Sequence, residues 1–142
     1  MEFDDDYPAC RETYATLRIF PGETSTSAAI TNSLGLQPTR IFEKGERLGS
    51  RGNVRSQSAW LLSTEGNVLS RDPRRHLAWL LEQIRGKDNQ IQLLRNSGAE
   101  LDIFCYYLSV GQGGPTMSAE HMAVLGELGL DVGWDIYFES EA

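Results

Sequence analysis

With 142 residues the chain has room for one domain, and a domain of this size buries about 70% of its unfolded surface without help from disulfides or metal. Hydrophobic residues make up 40% of it and charged residues 23%, which excludes fibrous structure and long disorder; the net charge of −7 argues against nucleic-acid or anionic-membrane binding through the whole surface. The longest apolar run is the six residues Ile103 to Leu108, far below the ~18 of a membrane helix, and the N-terminus is acidic where a signal peptide is basic, so the expected location is cytoplasmic.

Residues 1–12, with Glu2, Asp4, Asp5 and Asp6, read as a flexible acidic leader ahead of a single α+β domain over 13–142; Glu139 and Glu141 make the other end acidic. Thr13 to Phe20 alternates as a strand, with Tyr14, Leu17 and Ile19 as apolar candidates, and Pro21-Gly22 ends it. Thr24 or Ser25 offers a cap for a helix with Ala29, Ile30 and Leu34 at helical spacing, and Gly35 stands where a left-handed stop residue belongs. Arg40 to Glu43 is a short extended candidate. Lys44 to Ser56 has three glycines, four bases and no periodicity, and reads as an exposed loop or loose hairpin. Gln57 to Ser63 follows as a strand carrying Trp60.

Asp72-Pro73 predicts a helix start, because the aspartate accepts from free backbone donors and proline has none to lose. Leu77, Leu80, Leu81 and Ile84 then share one face, Gly86 stops or bends the helix, and a second piece runs through Ile91 and Leu94 to Gly98. Leu101 to Val110 is the strongest strand; both of its faces are apolar, which predicts a central place in a sheet. GQGGPT, residues 111 to 116, links it to a helix from about Ser118 with Met122, Leu125 and Leu128 inward and Gly129 as its stop, and Gly133 to Glu139 is the last strand.

Shifting the chain by 94 positions places Pro21 on Pro115, Thr24 on Ser118, and Leu34-Gly35-Leu36 on Leu128-Gly129-Leu130. Whether this is a duplication or shared helix-stop chemistry, the element order is two strand–helix–strand units joined by a long helix. That order predicts an α+β fold: a four- or five-stranded, mainly antiparallel sheet with helices packed on one face, similar to ferredoxin-like folds.

Cys10 and Cys105 are the only cysteines and match neither a disulfide framework nor a zinc knuckle. His76 and His121 are the only histidines; no spacing brings them together, and both read as surface helical residues rather than metal ligands. Asp102, Asp131 and Asp135 lie nearest the sheet. A buried pair of them would serve acid–base chemistry, but an ion pair with Arg18 across the sheet is the favoured role for Asp135, since an unpaired buried carboxylate is costly. GQGGPT matches no phosphate-binding pattern and reads as a turn. Ser25, Ser27 and Ser118 read as helix caps, Cys105 as inert packing, and Trp60 and Trp79 as core.

Charge is unevenly spread: residues 40 to 87 hold ten of the 13 bases and only five acids. Lys44, Arg47, Arg51 and Arg55 in the flexible segment, with Arg74 and Arg75, are therefore the candidate partner-binding residues, able to converge on carboxylates or phosphates. Arg18, Asp135, Gly35 and Gly129 are the candidate structural residues.

The segments LGLQPTRIFEKGER, SAWLLSTEG, HLAWLL and GQGGPTMSAEHMAVLGELGLDVGWDIYF together resemble the small bacterial family catalogued as domain of unknown function 4279, over about residues 13 to 138. The resemblance implies a stand-alone bacterial α+β domain and supplies no activity or catalytic residues. Short acidic families of this kind look like immunity proteins that neutralise toxins. The expectation is thus a non-enzymatic protein-binding module without cofactor or metal. The alternatives are a small-ligand binder or enzyme using Asp102 and Asp135 with His121 or the Gly113-Gly114 loop, and nucleic-acid binding through the basic segment. Unpaired edge strands also leave a homodimer open.

Overall fold

A computed structural model describes residues 1–50 and 52–139; Arg51 and Glu141 lie outside the described residues. The elements run β1 Cys10–Phe20, α1 Ser27–Leu34, β2 Arg40–Phe42, β3 Ala59–Ser63, α2 Pro73–Gln83, α3 Asp88–Asn96, β4 Glu100–Ser109, α4 Ala119–Leu128 and β5 Asp131–Phe138. The strands form one sheet in the order β2-β3-β1-β4-β5, antiparallel except for β4 and β5. The fold is therefore α+β with a mixed, mostly antiparallel five-stranded sheet.

Alternation divides each strand between two environments. Ala15, Leu17 and Ile19 of β1, Trp60 and Leu62 of β3, and Ile103 and Cys105 of β4 point to one side, where they join Ile30 and Leu34 of α1, Leu77 and Leu80 of α2, Ile91 and Leu94 of α3, and Leu125 and Leu128 of α4 in one buried core. Helices α1 to α4 thus cover the same face. β4 is internal, as its doubly apolar sequence demands, but the middle position belongs to β1, whose opposite face carries Tyr14, Thr16 and Arg18.

Local chemistry sets the helix ends. Asp72 caps α2 by accepting from the Arg74 N–H with Pro73 at the first turn, and Ser118 caps α4 by accepting from the His121 N–H. Gly35 and Gly129 end α1 and α4, each at φ 66°. The cap of α1 is Thr26, not Thr24 or Ser25; Ser27 lies inside the helix, donates its hydroxyl to the Phe42 carbonyl at 2.9 Å, and receives at its own N–H the Glu43 carboxylate at 2.6 Å. A carboxylate from β2's end thus completes this helix start, which favours negative charge.

The two strand–helix–strand units end their helices alike but differ in the sheet. β5 lies directly beside β4, whereas β3 separates β2 from β1. Met122, expected inward, is 53% exposed; His121, Leu125 and Leu128 form the tighter inward stripe at helical spacing. Residues 44–50 and 52–56 run as the two arms of a loose hairpin, with the Gly45 N–H on the Arg55 carbonyl at 2.9 Å, the Arg55 N–H on the Glu46 carbonyl at 2.7 Å and Arg47 bridged to Val54. Among the described residues, no helix is long and apolar enough to cross a membrane.

Strand β1 starts at Cys10, inside the stretch assigned to the leader, and residues before it are held to the body. The Asp4 N–H donates to Asp72 Oδ2 at 2.8 Å, and the Arg71 N–H to the Asp5 carbonyl at 2.9 Å. The GQGGPT turn packs on the same leader: a side chain at Gly113 would collide with the Tyr7 hydroxyl, which explains a glycine there without any phosphate.

Candidate functional site

The sheet face turned away from the helices is the most distinctive surface of the molecule. Half-buried Tyr14, Thr16, Arg18 and Phe20 of β1 stand beside Asp102, Phe104 and Tyr106 of β4, with Leu61 of β3 and Phe42 of β2 on one flank and Asp135 and Tyr137 of β5 on the other. Among the described residues, no helix lies over them.

These side chains interlock in two clusters. Tyr14 and Tyr106 are register partners whose rings stack at 4.8 Å with 18° between planes, and Tyr137 tilts against Tyr106 at 5.6 Å. A hydrogen bond to Asp135 raises the pKa of the Tyr137 phenol, and burial raises that of Tyr14. In the other cluster, Arg18 Nε and Nη2 donate to the two oxygens of Asp102 at 2.7 and 2.6 Å. The same guanidinium lies 4.5 Å from the centre of the Phe104 ring and 5.4 Å from that of Phe20. Gly133 on β5 is the neighbour that lets Phe104 lie flat, because a Cβ there would come within 3.1 Å of the ring.

At the β2 end, Phe42 is covered by two arginines, Arg55 at 3.7 Å and Arg40 at 4.8 Å. A cleft of about 350 Å³ opens here between Arg18, Phe20, Phe42, Arg55, Gln57 and Leu61. Arg55 Nε is buried without a hydrogen-bond partner. Its guanidinium lies against the Phe42 ring at the mouth of the cleft, where an arginine can donate to an acceptor.

The candidate partner-binding residues fall in two places. Lys44 and Arg47 are exposed on the hairpin, Arg55 returns from it onto the sheet face, and Arg51 lies outside the described residues. Arg74 and Arg75 stand at the start of α2, each already on a carboxylate: Arg74 on Asp72 at 2.7 Å, Arg75 on Asp5 at 2.6 Å. The anticipated pairing of Arg18 with Asp135 is replaced by Arg18 with Asp102. The register decides this, since Asp102 lies directly across from Arg18 whereas Asp135 is level with Tyr106.

Asp102, Asp135 and His121 do not converge. Asp102 and Asp135 are four residues apart along the paired strands, or about 13 Å at the rise of a strand, and His121 is on α4 beneath the opposite face. Neither histidine is a surface residue: His76 is 1% and His121 7% exposed. Their helices turn these positions inward, and burial lowers both pKa values. Cys105 is buried and its thiol is pushed up to about 12, which suits packing rather than reactivity. Trp60 is core, with Nε1 donating to Thr31 at 3.1 Å, but Trp79 is only partly buried. Among the described residues, no group of three or more histidine, cysteine, aspartate or glutamate side chains is placed to hold a metal ion.

Strand periodicity alone does not single out the aromatic face. Its signal was present: Tyr14, Thr16 and Arg18, alternating with Ala15, Leu17 and Ile19, describe a strand with one amphipathic, uncovered side. No match is found among curated proteins or solved structures. A family model matches residues 11–139, and the chain accordingly belongs to the family described as a domain of unknown function, DUF4279.

Proposed function

We propose that this protein is a non-enzymatic binding module that receives a protein partner on its uncovered sheet face and the adjoining basic hairpin, in the manner of an immunity protein masking a toxin. The observation that carries this reading is the density of tyrosine and arginine on the sheet face opposite the helices. These residue types supply large contact area and hydrogen-bonding tips, and they are enriched where proteins bind proteins. The Arg55 cleft at one end offers donors for an acidic or amide group.

The ring faces favour a protein over a nucleic acid. Bases stack on open aromatic faces, but Tyr14 and Tyr106 use theirs on each other, and Phe42 and Phe104 use theirs on arginines. What points outward is hydroxyl groups, ring edges and guanidinium donors.

The test is co-expression with the product of a neighbouring toxin gene. The intact chain restores growth, and Tyr137→Ala combined with Arg55→Glu abolishes rescue while circular dichroism shows an unchanged fold. Failure of the intact chain to rescue, or full rescue by the double variant, removes the proposal.

A further inference from the structure

A second surface, independent of the sheet face, is already occupied by the chain's own N-terminus. Asp5 is gripped as a ligand would be. Arg75 Nε and Nη2 meet its two carboxylate oxygens at 2.6 and 3.0 Å, and the Ser70 hydroxyl donates to Oδ1 at 2.6 Å. Two-point recognition of a carboxylate by a guanidinium fork, completed by a hydroxyl, is the geometry of a specific acceptor site. Two residues earlier, the Phe3 ring lies under the same guanidinium at 4.3 Å. Backbone contacts fix the segment's direction: the Asp4 N–H on Asp72 and the Arg71 N–H on the Asp5 carbonyl.

The occupant does not fill the site. A groove of about 380 Å³ remains beside Phe3, between Val68, Leu69, Ala78 and Trp79. Leu69 at its lip is 94% exposed. Together with Val68, Ala78 and half-buried Trp79 it gives the groove an apolar wall that a longer segment would cover. A longer segment would keep the two charge contacts and gain apolar burial that residues 3–5 do not reach.

The geometry points to a recognition site for a short acidic segment of another protein, with an aromatic residue two positions before an aspartate, that residues 3–5 of this chain occupy in cis as a displaceable plug. Arg75 and Ser70 read the carboxylate, Arg75 also covers the aromatic ring, and Leu69 and Trp79 hold what extends beyond it. Tethering favours the plug, because a short linker maintains millimolar effective concentration at the site. A foreign segment must outcompete it, so the leader sets a threshold for binding.

The experiment titrates a synthetic peptide of residues 1–7, MEFDDDY, into the full chain and into the full-chain double variant Phe3→Ala/Asp5→Asn, in which the plug has lost its ring and its charge. Calorimetry is expected to show binding at least about tenfold tighter to the variant than to the unmodified chain, as relief of an intramolecular competitor requires. Adding Arg75→Gln to the variant is expected to abolish binding. Absence of binding to the double variant at millimolar peptide, equal affinity for both chains, or binding that survives Arg75→Gln would each overturn the assignment. If the double variant fails to fold, Asp5→Asn alone is titrated and the same results decide. Sedimentation at the same concentrations is expected to show a monomer. A dimer lost on Arg75→Gln would instead give the site to leaders exchanged between copies and overturn a foreign segment as occupant.

Discussion

Arg18 and Asp102 join β1 to β4 through two hydrogen bonds of 2.7 and 2.6 Å, directly across the register, with each side chain 31% exposed. The carboxylate holds the Arg18 guanidinium above its ordinary pKa, and the phenylalanines on either side fix its plane. Partial exposure keeps the pair from the desolvation cost of a buried one, while two-point geometry lifts it above a typical surface bridge. Asp102→Asn is therefore expected to lower the unfolding free energy by about 1 kcal/mol. Asp135→Asn, which removes no ion pair, should change it by less than about 0.5 kcal/mol. Urea midpoints at constant slope distinguish the two, and equal losses would disprove the pairing.

Tyr14 and Tyr106 couple the same strands at the next cluster. Ring stacking adds about 0.5–1.5 kcal/mol beyond the area each ring buries. A double-mutant cycle with Tyr14→Ala and Tyr106→Ala should return a coupling of about 1 kcal/mol, well outside the additivity expected of separate sites. A cycle of Tyr14→Ala with Phe42→Ala, which belong to different clusters, should return nearly none. Coupling of the same size in both cycles would mean that the face is not organised as two units.

Much of this architecture is legible from local sequence, because caps and stops act over a few residues. Asp72-Pro73, Ser118, Gly35 and Gly129 each mark a helix end through chemistry contained in one turn. What sequence reasoning misses is set by partners far along the chain. Asp5 finds Arg75 across 70 positions, and the Asp4 N–H finds Asp72 across 68, so residues that read as a solvated leader are clasped. Polarity alone cannot report register, so the sequence does not distinguish Asp135 from Asp102 as the partner of Arg18. The histidines read as surface residues because imidazole is polar, yet each stands on the inward stripe of its helix, His76 with Leu77 and Leu80 and His121 with Leu125 and Leu128. The aromatic face escaped for a related reason: Phe104 and Tyr106 read as a second buried side of β4, and only the placement of helices α1 to α4 on one face leaves them uncovered.

Gly35 and Gly129 share one backbone conformation but not one environment. Both have φ 66°, where an L side chain costs about 1–2 kcal/mol. A Cβ at Gly35 meets nothing closer than Lys87 Nζ at 4.0 Å; at Gly129 it would come within 3.1 Å of the Arg95 guanidinium, which donates to the Gly129 carbonyl at 2.8 Å. Gly35→Ala is expected to cost about 1 kcal/mol from backbone strain alone. Gly129→Ala should cost more, because it also displaces Arg95. Thermal melts of the two variants measure the difference, and adding Arg95→Ala to Gly129→Ala should recover part of it. An identical loss for both would show that the Arg95 contact is without effect.

His76 makes the fold acid-sensitive. It is 1% exposed, its Nε2 lies 2.8 Å from the Ser70 carbonyl and its Nδ1 2.6 Å from the Thr64 hydroxyl. A carbonyl only accepts, so Nε2 carries the proton and the neutral ring takes the Thr64 hydroxyl at Nδ1. Thr64 in turn accepts from the Ala15 N–H at 2.9 Å, which ties the imidazole to β1. Burial lowers the His76 pKa below its ordinary 6.5, and His121 shifts the same way for the same reason. For a group depressed in the folded state, the unfolded chain takes up the proton first as pH falls. Stability is thus complete above pH 6.5 and declines from there down through the folded-state pKa values. The carboxyls add a later loss. Arg75 and Ser70 hold Asp5 below its ordinary 3.8; burial pushes Asp72 up, but hydrogen bonds from Arg74 and the Asp4 N–H outweigh it, so stability falls further below that pH. Urea midpoints should therefore drop between pH 7.5 and 5 in the unmodified chain. His76→Gln should be less stable at pH 7.5, through its lost fit, yet show a shallower slope across that interval. A midpoint independent of pH in the unmodified chain, or a slope unaffected by His76→Gln, would exclude the buried imidazole as the cause.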